Sequence, residues 1–190
     1  MQALKEGLIP EGRTLIPGCG RGYDVTLLAS PSRYVLGVDL EEVAVEECKK
    51  RLDSLSFEEC PDSCRANCDF QVMNFFDISG EFDFIYDYTF LCALSPSIRH
   101  LWASKMSILT KFGGLLFTLI FPIRDGDDGS KGPPHAVSLE VLASLLEPVG
   151  FTCERLARLP KELSHPGRDG GQSVDGSAIG YSGIGLWRKK

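Results

Sequence analysis

Short continuous apolar runs along this chain give way, again and again, to segments whose apolar positions recur at helical spacing. The apolar runs predict strands over residues 14–17, 34–39, 69–74, 82–88, 115–120, 152–156 and 184–188. The segments between them predict helices over 24–29, 42–52, 96–110 and 139–147. Boundary residues support several of these. Ser95 can cap a helix and Pro96 suits its first position; Ser138 can cap the next one, with Glu140 in its first turn. Gly113 and Gly150 stand where helices are expected to stop. Strand–helix alternation implies an α/β fold with a mostly parallel sheet covered on both faces, whose ligands lie at the carboxyl ends of the strands. That rule gathers residues 17–22, Asp39, 74–77 and 87–90 around one cleft. Residues 124–134 and 165–185 read as loose connections.

The chemistry concentrates at the first strand end. Pro17-Gly18-Cys19-Gly20-Arg21-Gly22-Tyr23-Asp24 places a glycine-punctuated turn between an apolar run and a helical segment. Each glycine removes a side chain where a ligand could touch backbone. Asp39 closes the next apolar run, and an acid about 20 residues beyond the first glycine is where nucleotide-type folds grip a ribose diol. Dinucleotide sites use GxGxxG to seat a pyrophosphate. Here the pattern is GxGxG, which favours a nucleoside cofactor without a pyrophosphate, such as S-adenosyl-L-methionine, over a nicotinamide dinucleotide.

Composition narrows the partners. The 190 residues are 43% hydrophobic, enough for a sizeable core in one domain over 1–190. The net charge of −6 and the lack of a basic block argue against nucleic acid or an acidic membrane surface. No apolar run approaches the roughly 20 residues of a bilayer span, and the first residues lack a secretion signal. Seven cysteines, an odd number, suit reduced thiols and a cytoplasmic location. Cys60, Cys64 and Cys68 form CxxxCxxxC, a spacing unlike zinc or iron–sulfur motifs; beside Pro61 and Asn67 it reads as a loop with free thiols, and no metal is expected.

The motifs LIPGCGRGYDV (15–25), VLGVDL (35–40), NFFD (74–77), FDFIYDYTFLCAL (82–94), LWASKM (101–106), GGLLFTLIFPI (113–123), GPPHAVS (132–138) and GLWRKK (185–190) occur in order over most of the chain. In them the chain resembles the thiopurine S-methyltransferase family, above all its plant and fungal thiol and halide methyltransferase branch. The resemblance implies a class I S-adenosylmethionine-dependent methyltransferase fold, Rossmann-like, with seven strands. It also implies roles. Gly18, Gly20 and Gly22 would run beneath the methionine moiety, and Asp39 would accept from the ribose hydroxyls. Asn74 and Phe75 would border the adenine, with Phe76 beside them. Asp87 and Tyr88 would be the catalytic pair at the sulfonium end, Tyr88 also touching cofactor. Thr89, Phe90, Pro133, Pro134 and His135 would shape a pocket for a small thiol or halide acceptor. Trp102 reads as a core residue on a helix and Trp187 as part of the last strand.

The resemblance also implies a tryptophan-bearing lid ahead of the first strand, which here starts near Arg13. A monomeric methyltransferase acting on a thiol is the leading expectation. A catalytically silent form that binds cofactor or a partner is the alternative, and a nicotinamide oxidoreductase is disfavoured by the glycine spacing.

Overall fold

Residues 12–17 end their apolar run in a proline, and they form β1 (Gly12–Pro17) with its last four positions buried. The structure is a computed structural model describing residues 9–124, 126–164 and 180–190. The other strands are β2 (Arg33–Asp39), β3 (Cys68–Val72), β4 (Phe82–Tyr88), β5 (Thr110–Ile123), β6 (Phe151–Arg158) and β7 (Tyr181–Lys189). The α-helices are α1 (Tyr23–Leu28), α2 (Glu42–Ser54), α3 (Asp62–Arg65), α4 (Arg99–Leu109) and α5 (Leu139–Leu146). The sheet order is β3-β2-β1-β4-β5-β7-β6. β1 runs parallel to β2 and to β4, and β2 parallel to β3, while β6 and β7 pair antiparallel. The chain order reverses at β1, and such a switch point is where open α/β sheets bind ligands.

Two compact units divide the chain: Met1–Tyr86 with Leu109–Leu115, and Asp87–Ile108 with Leu116–Lys190. In the first, Leu15, Val35, Phe82 and Ile85 are fully buried strand residues, and Val25 of α1 and Val45 of α2 are buried with them. Buried Arg33 donates to the carbonyls of Ile9, Pro10 and Leu28, which fixes the entry into β1. In the second unit the core holds Trp102 and Met106 of α4, Leu116 of β5, Leu142 and Leu146 of α5, and Trp187 of β7. Ser138 caps α5 by accepting from the Val141 amide, as its position suggested.

Several boundaries differ from the sequence reading. The helix expected over 96–110 is a 3₁₀ turn, Pro96–Ile98, followed by α4; Ser95 caps that turn by accepting from Ser97. Thr110 already opens β5, so Gly113 lies inside a strand rather than stopping a helix. The reason is tertiary: Lys111 Nζ sits 2.8 Å from Asp83 of β4 and draws the first residues of β5 to its neighbour. Gly150 does end a helical turn, in the left-handed conformation. Cys64 lies in α3, not in a loop, and Cys68 opens β3. Of the connection expected over 165–185, residues 165–179 lie outside the described residues, and residues 181–185 belong to β7. Among the described residues no helix is long and apolar enough to cross a membrane.

Candidate functional site

In the first unit three strand ends leave the sheet side by side. Pro17 pairs with Val38, and Asp39 with Val72, so the glycine turn, Asp39 and the residues after β3 emerge along one edge. The turn itself is built from left-handed residues, with φ of 61° at Gly18, 52° at Gly20 and 70° at Gly22. It is pinned to β2 by the Cys19 amide donating to the Val38 carbonyl and closed by the Gly22 amide donating to the Cys19 carbonyl.

Asp39 organises this edge. Its Oδ2 accepts from the Gly20 amide at 2.9 Å and its Oδ1 from the Glu41 amide at 3.2 Å. The Asp39 carbonyl accepts from Met73 at 2.9 Å, which brings Asn74 to the same edge. Each carboxylate oxygen has a second lone pair, so the half-buried side chain can take up two more donors. A β-carbon added at Gly20 would meet nothing within 4 Å, so the turn's outer side has open space. Open backbone beside a carboxylate with spare acceptor capacity fits a ribose diol. Exposed Asn74 accepts from the Phe76 amide and caps the 3₁₀ turn Phe75–Asp77. Phe75 is buried and packs edge-on to half-buried Phe76, ring centres 5.2 Å apart.

Beneath the turn lie two thiols. Cys48 Sγ is 2.9 Å from the Gly20 carbonyl oxygen and donates to it. The hydrogen bond with Cys48, together with burial, holds the Cys19 thiol far above the usual range. The same hydrogen bond pulls the Cys48 thiol below its ordinary range. The other cysteines of interest, Cys60, Cys64 and Cys68, are free. Burial, with Cys60 and Cys64 adding, pushes the Cys68 thiol up to about 12. Among the described residues no trio of His, Cys, Asp or Glu is arranged to hold a metal ion.

In the second unit Asp87 is buried at the end of β4, 1% exposed. Oδ1 accepts from the amides of Phe90 at 2.9 Å and Leu91 at 3.2 Å, and Oδ2 from the Trp102 indole at 3.0 Å. The sequence read Asp87 as a carboxylate facing a sulfonium; these bonds turn both oxygens toward its own loop and helix α4. Burial pushes its pKa up to about 6, against the pull of the Leu91, Phe90 and Trp102 donors. A carboxyl raised in the folded state favours folding fully below its ordinary range, and that contribution is lost as pH rises through about 6. Asp87→Asn should therefore remove a pH-dependent loss of about 3 kcal/mol between pH 4 and 7, read as the difference between wild-type and variant urea unfolding curves. Parallel pH dependence of the two proteins would contradict it.

The loop that follows carries strain at one residue. Thr89 is the one non-glycine residue at positive φ among the described residues, at 60°, a conformation that costs a β-branched residue about 1–3 kcal/mol. It is held by its amide on the Leu119 carbonyl and by its own carbonyl, which accepts from Cys92 Sγ at 2.9 Å. Tyr88, Thr89 and Phe90 are all half-buried. The Cys92 carbonyl in turn accepts from the His135 amide at 2.7 Å. So the structure joins Thr89 to His135 through Cys92, while exposed Pro133 and Pro134 form the turn before it. His135 Nδ1 is 2.8 Å from the Gly129 carbonyl oxygen; a carbonyl only accepts, so Nδ1 carries the proton and Nε2 is the basic nitrogen.

Sequence reasoning missed two members of this network, Trp102 and Cys92. The helical pattern places Trp102 in the core, and it is fully buried. The available signal was that a buried indole usually seeks an acceptor. A separate cavity of about 360 Å³ in this unit is lined by Ile123, Arg124, Asp127, Ser138 and Arg158, none of them a residue singled out for the acceptor.

The thiopurine S-methyltransferase family model matches residues 2–175. A protein of Arabidopsis thaliana named probable thiol methyltransferase 2 is 39% identical over 188 residues, covering 98% of this chain and 74% of that protein. Thiocyanate methyltransferase 1 of Brassica oleracea is 37% identical over 159 residues, covering 82% of this chain and 66% of that protein. Among solved structures, an S-adenosylmethionine-dependent methyltransferase from Methanosarcina mazei superposes with a TM-score of 0.73 at 18% identity, covering 98% of this chain and 96% of that one. This last likeness establishes the class I methyltransferase fold.

Proposed function

This chain belongs to the thiopurine S-methyltransferase family, and from that premise we propose that it transfers the methyl group of S-adenosyl-L-methionine to a small thiol, with halide and related soft anions as further acceptors. The family's cofactor and reaction class, S-adenosyl-L-methionine and S-methylation, come with membership. The acceptor does not, and the reading of it rests on the two related plant proteins named for thiol and thiocyanate.

The observation that carries the proposal is Asp39, bonded to the Gly20 amide at the sheet's switch point and holding acceptor capacity in reserve. In this reading Gly18, Gly20 and Gly22 lie beneath the methionine moiety, Asp39 takes the ribose hydroxyls, and Asn74 and Phe75 border the adenine. Tyr88 contributes an aromatic face at the sulfonium end. Thr89, Phe90, Pro133, Pro134 and His135 line the acceptor pocket.

Bound S-adenosyl-L-methionine supplies an electrophilic methyl group. The protein's work is then to align the acceptor and exclude water. A thiol with an ordinary pKa near 8.5 is a few per cent ionised at neutral pH and attacks as thiolate, its proton passing to solvent. A strong base is not required, and a halide needs none. His135, with Nε2 free to accept, suits a thiol that arrives protonated.

Incubation of the purified protein with methyl-labelled cofactor and a panel of small thiols, iodide and thiocyanate tests this. Label in a thioether product is the expected result. Binding of S-adenosylhomocysteine with no transfer to any acceptor would instead support a cofactor-binding protein without turnover.

A further inference from the structure

We infer that Trp102 is a positioning residue for methyl transfer: through Asp87 its indole N–H holds the Thr89–Leu91 segment in the shape that presents Tyr88, Thr89 and Phe90 to the acceptor. The inference rests on the functional reading above.

The bonding carries it. The indole Nε1 meets Asp87 Oδ2 at 3.0 Å, with the tryptophan fully buried and the carboxylate nearly so. The other carboxylate oxygen gathers two consecutive amides, Phe90 and Leu91, and so folds the chain back on itself straight after β4. That fold-back places Thr89 in its left-handed conformation. A strained threonine persists only where its surroundings over-determine it. Here they do so through the Leu119 carbonyl, Cys92 Sγ and the two amides on Asp87. The same loop reaches the acceptor turn through the Cys92 carbonyl and the His135 amide. Trp102 thus stands at the root of a loop, residues 87–92, whose other end bonds to His135. Trp187, the only other tryptophan in the chain, is equally buried, but its Nε1 meets no acceptor among the described residues, so burial alone does not dictate the bond.

The electrostatics agree. The carboxylate meets three neutral donors, the amides of Leu91 and Phe90 and the Trp102 indole; among the described residues no charged side chain shifts its titration. The ionised form accepts most strongly from all three. Protonation puts a hydrogen on one oxygen and leaves weaker acceptors for the same donors, so the anchor loosens.

The test is a double-mutant cycle on the full chain with Trp102→Phe and Asp87→Asn. Trp102→Phe removes the donor and keeps an aromatic ring. Its kcat/KM for a thiol should fall about tenfold or more, mostly through acceptor KM. S-adenosylhomocysteine affinity should stay within about threefold, since the contacts proposed for its ribose and adenine belong to Asp39, Asn74 and Phe75, none of which bonds to Asp87 or Trp102. Asp87→Asn must set an amide NH₂ against either the backbone amides or the indole. In the double variant the amide oxygen serves Phe90 and Leu91 while its NH₂ faces no donor. Activity of the double variant above that of Asp87→Asn is therefore expected. A packing role for Trp102 predicts losses that simply add.

A spectroscopic readout accompanies the cycle. With two tryptophans, the indole N–H resonance lost in Trp102→Phe is that of Trp102. It should titrate with Asp87 in the wild type and stop doing so in Asp87→Asn. An active wild type with unchanged acceptor KM in Trp102→Phe, or an additive cycle, overturns the positioning role and leaves the functional reading standing. A folded wild type with no transfer to any acceptor overturns the functional reading, and the positioning role with it.

Discussion

Asp39→Ala should weaken S-adenosylhomocysteine binding about 100-fold, the largest change in cofactor affinity expected from any single side chain of this protein. Two kinds of contact go at once. The first is the bond to the Gly20 amide at 2.9 Å and that to Glu41 at 3.2 Å, which hold the glycine turn against the start of α2. The second is the pair of bonds proposed to the ribose hydroxyls. Hydrogen bonds to a charged group are worth about 1.5–3 kcal/mol each, and about 2.7 kcal/mol of net loss is a factor of 100 in affinity. Asp39→Asn is the informative companion. It keeps one carbonyl oxygen but turns an NH₂ toward one of the two amides that the carboxylate satisfied, so a loss of about tenfold is expected. Calorimetric titration of both variants, with folding verified by circular dichroism, gives the answer. A folded Asp39→Ala protein that binds within threefold of wild type would mean that the adenosyl group is held elsewhere.

Gly22→Val should be the most damaging substitution for the fold, by about 2–5 kcal/mol. Two costs combine. Gly22 sits at φ 70°, where a β-branched side chain loses about 1–2 kcal/mol. Its added β-carbon would also stand 2.6 Å from Phe70 Cε1 and 2.9 Å from Cys48 Sγ, both buried, and overpacking of that kind costs about 1–3 kcal/mol. The total is a large share of the 5–15 kcal/mol that typically separates folded from unfolded states. Gly20→Ala separates the two terms. Its φ of 52° imposes the backbone cost, but the new methyl group meets nothing within 4 Å, so a loss near 1 kcal/mol is expected. Urea unfolding of the two variants measures the difference. Equal destabilisation would show that Phe70 and Cys48 yield easily and that the turn is constrained by backbone alone.

These two substitutions act on the part of the molecule that was easiest to read in advance. The glycine turn, Asp39 and the seven strands announce themselves through local rules: apolar runs of strand length, turn glycines and an acid at a fixed distance. Each of those signals lies within a few residues or at one set spacing. Cap residues behave the same way; Ser138 and Gly150 do what their neighbours in the chain imply. The family motifs extend the same information, since they are strings of adjacent residues.

The second unit was harder. Asp87 looked like a carboxylate for a cation, because a charged residue at a strand end beside aromatics has that appearance. Its actual partners include Trp102, 15 positions away on another element, and that bond exists only once α4 is packed. The left-handed Thr89 has no local signature either, since threonine avoids that conformation unless distant groups hold it there. Likewise β5 opens at Thr110, where Lys111 pairs with Asp83 on β4, a partner that the run of residues from 99 to 113 does not reveal.

The residue pattern of this chain by itself determined the order of the strands and of the four longer helices, the glycine turn, the acid opposite it and the class of cofactor, because periodicity and turn chemistry act between near neighbours. Only the tertiary structure decided where β5 begins, which way the Asp87 carboxylate faces and what keeps Thr89 strained. Those outcomes depend on groups remote in the chain, and burial gives their hydrogen bonds the strength to overrule local preference.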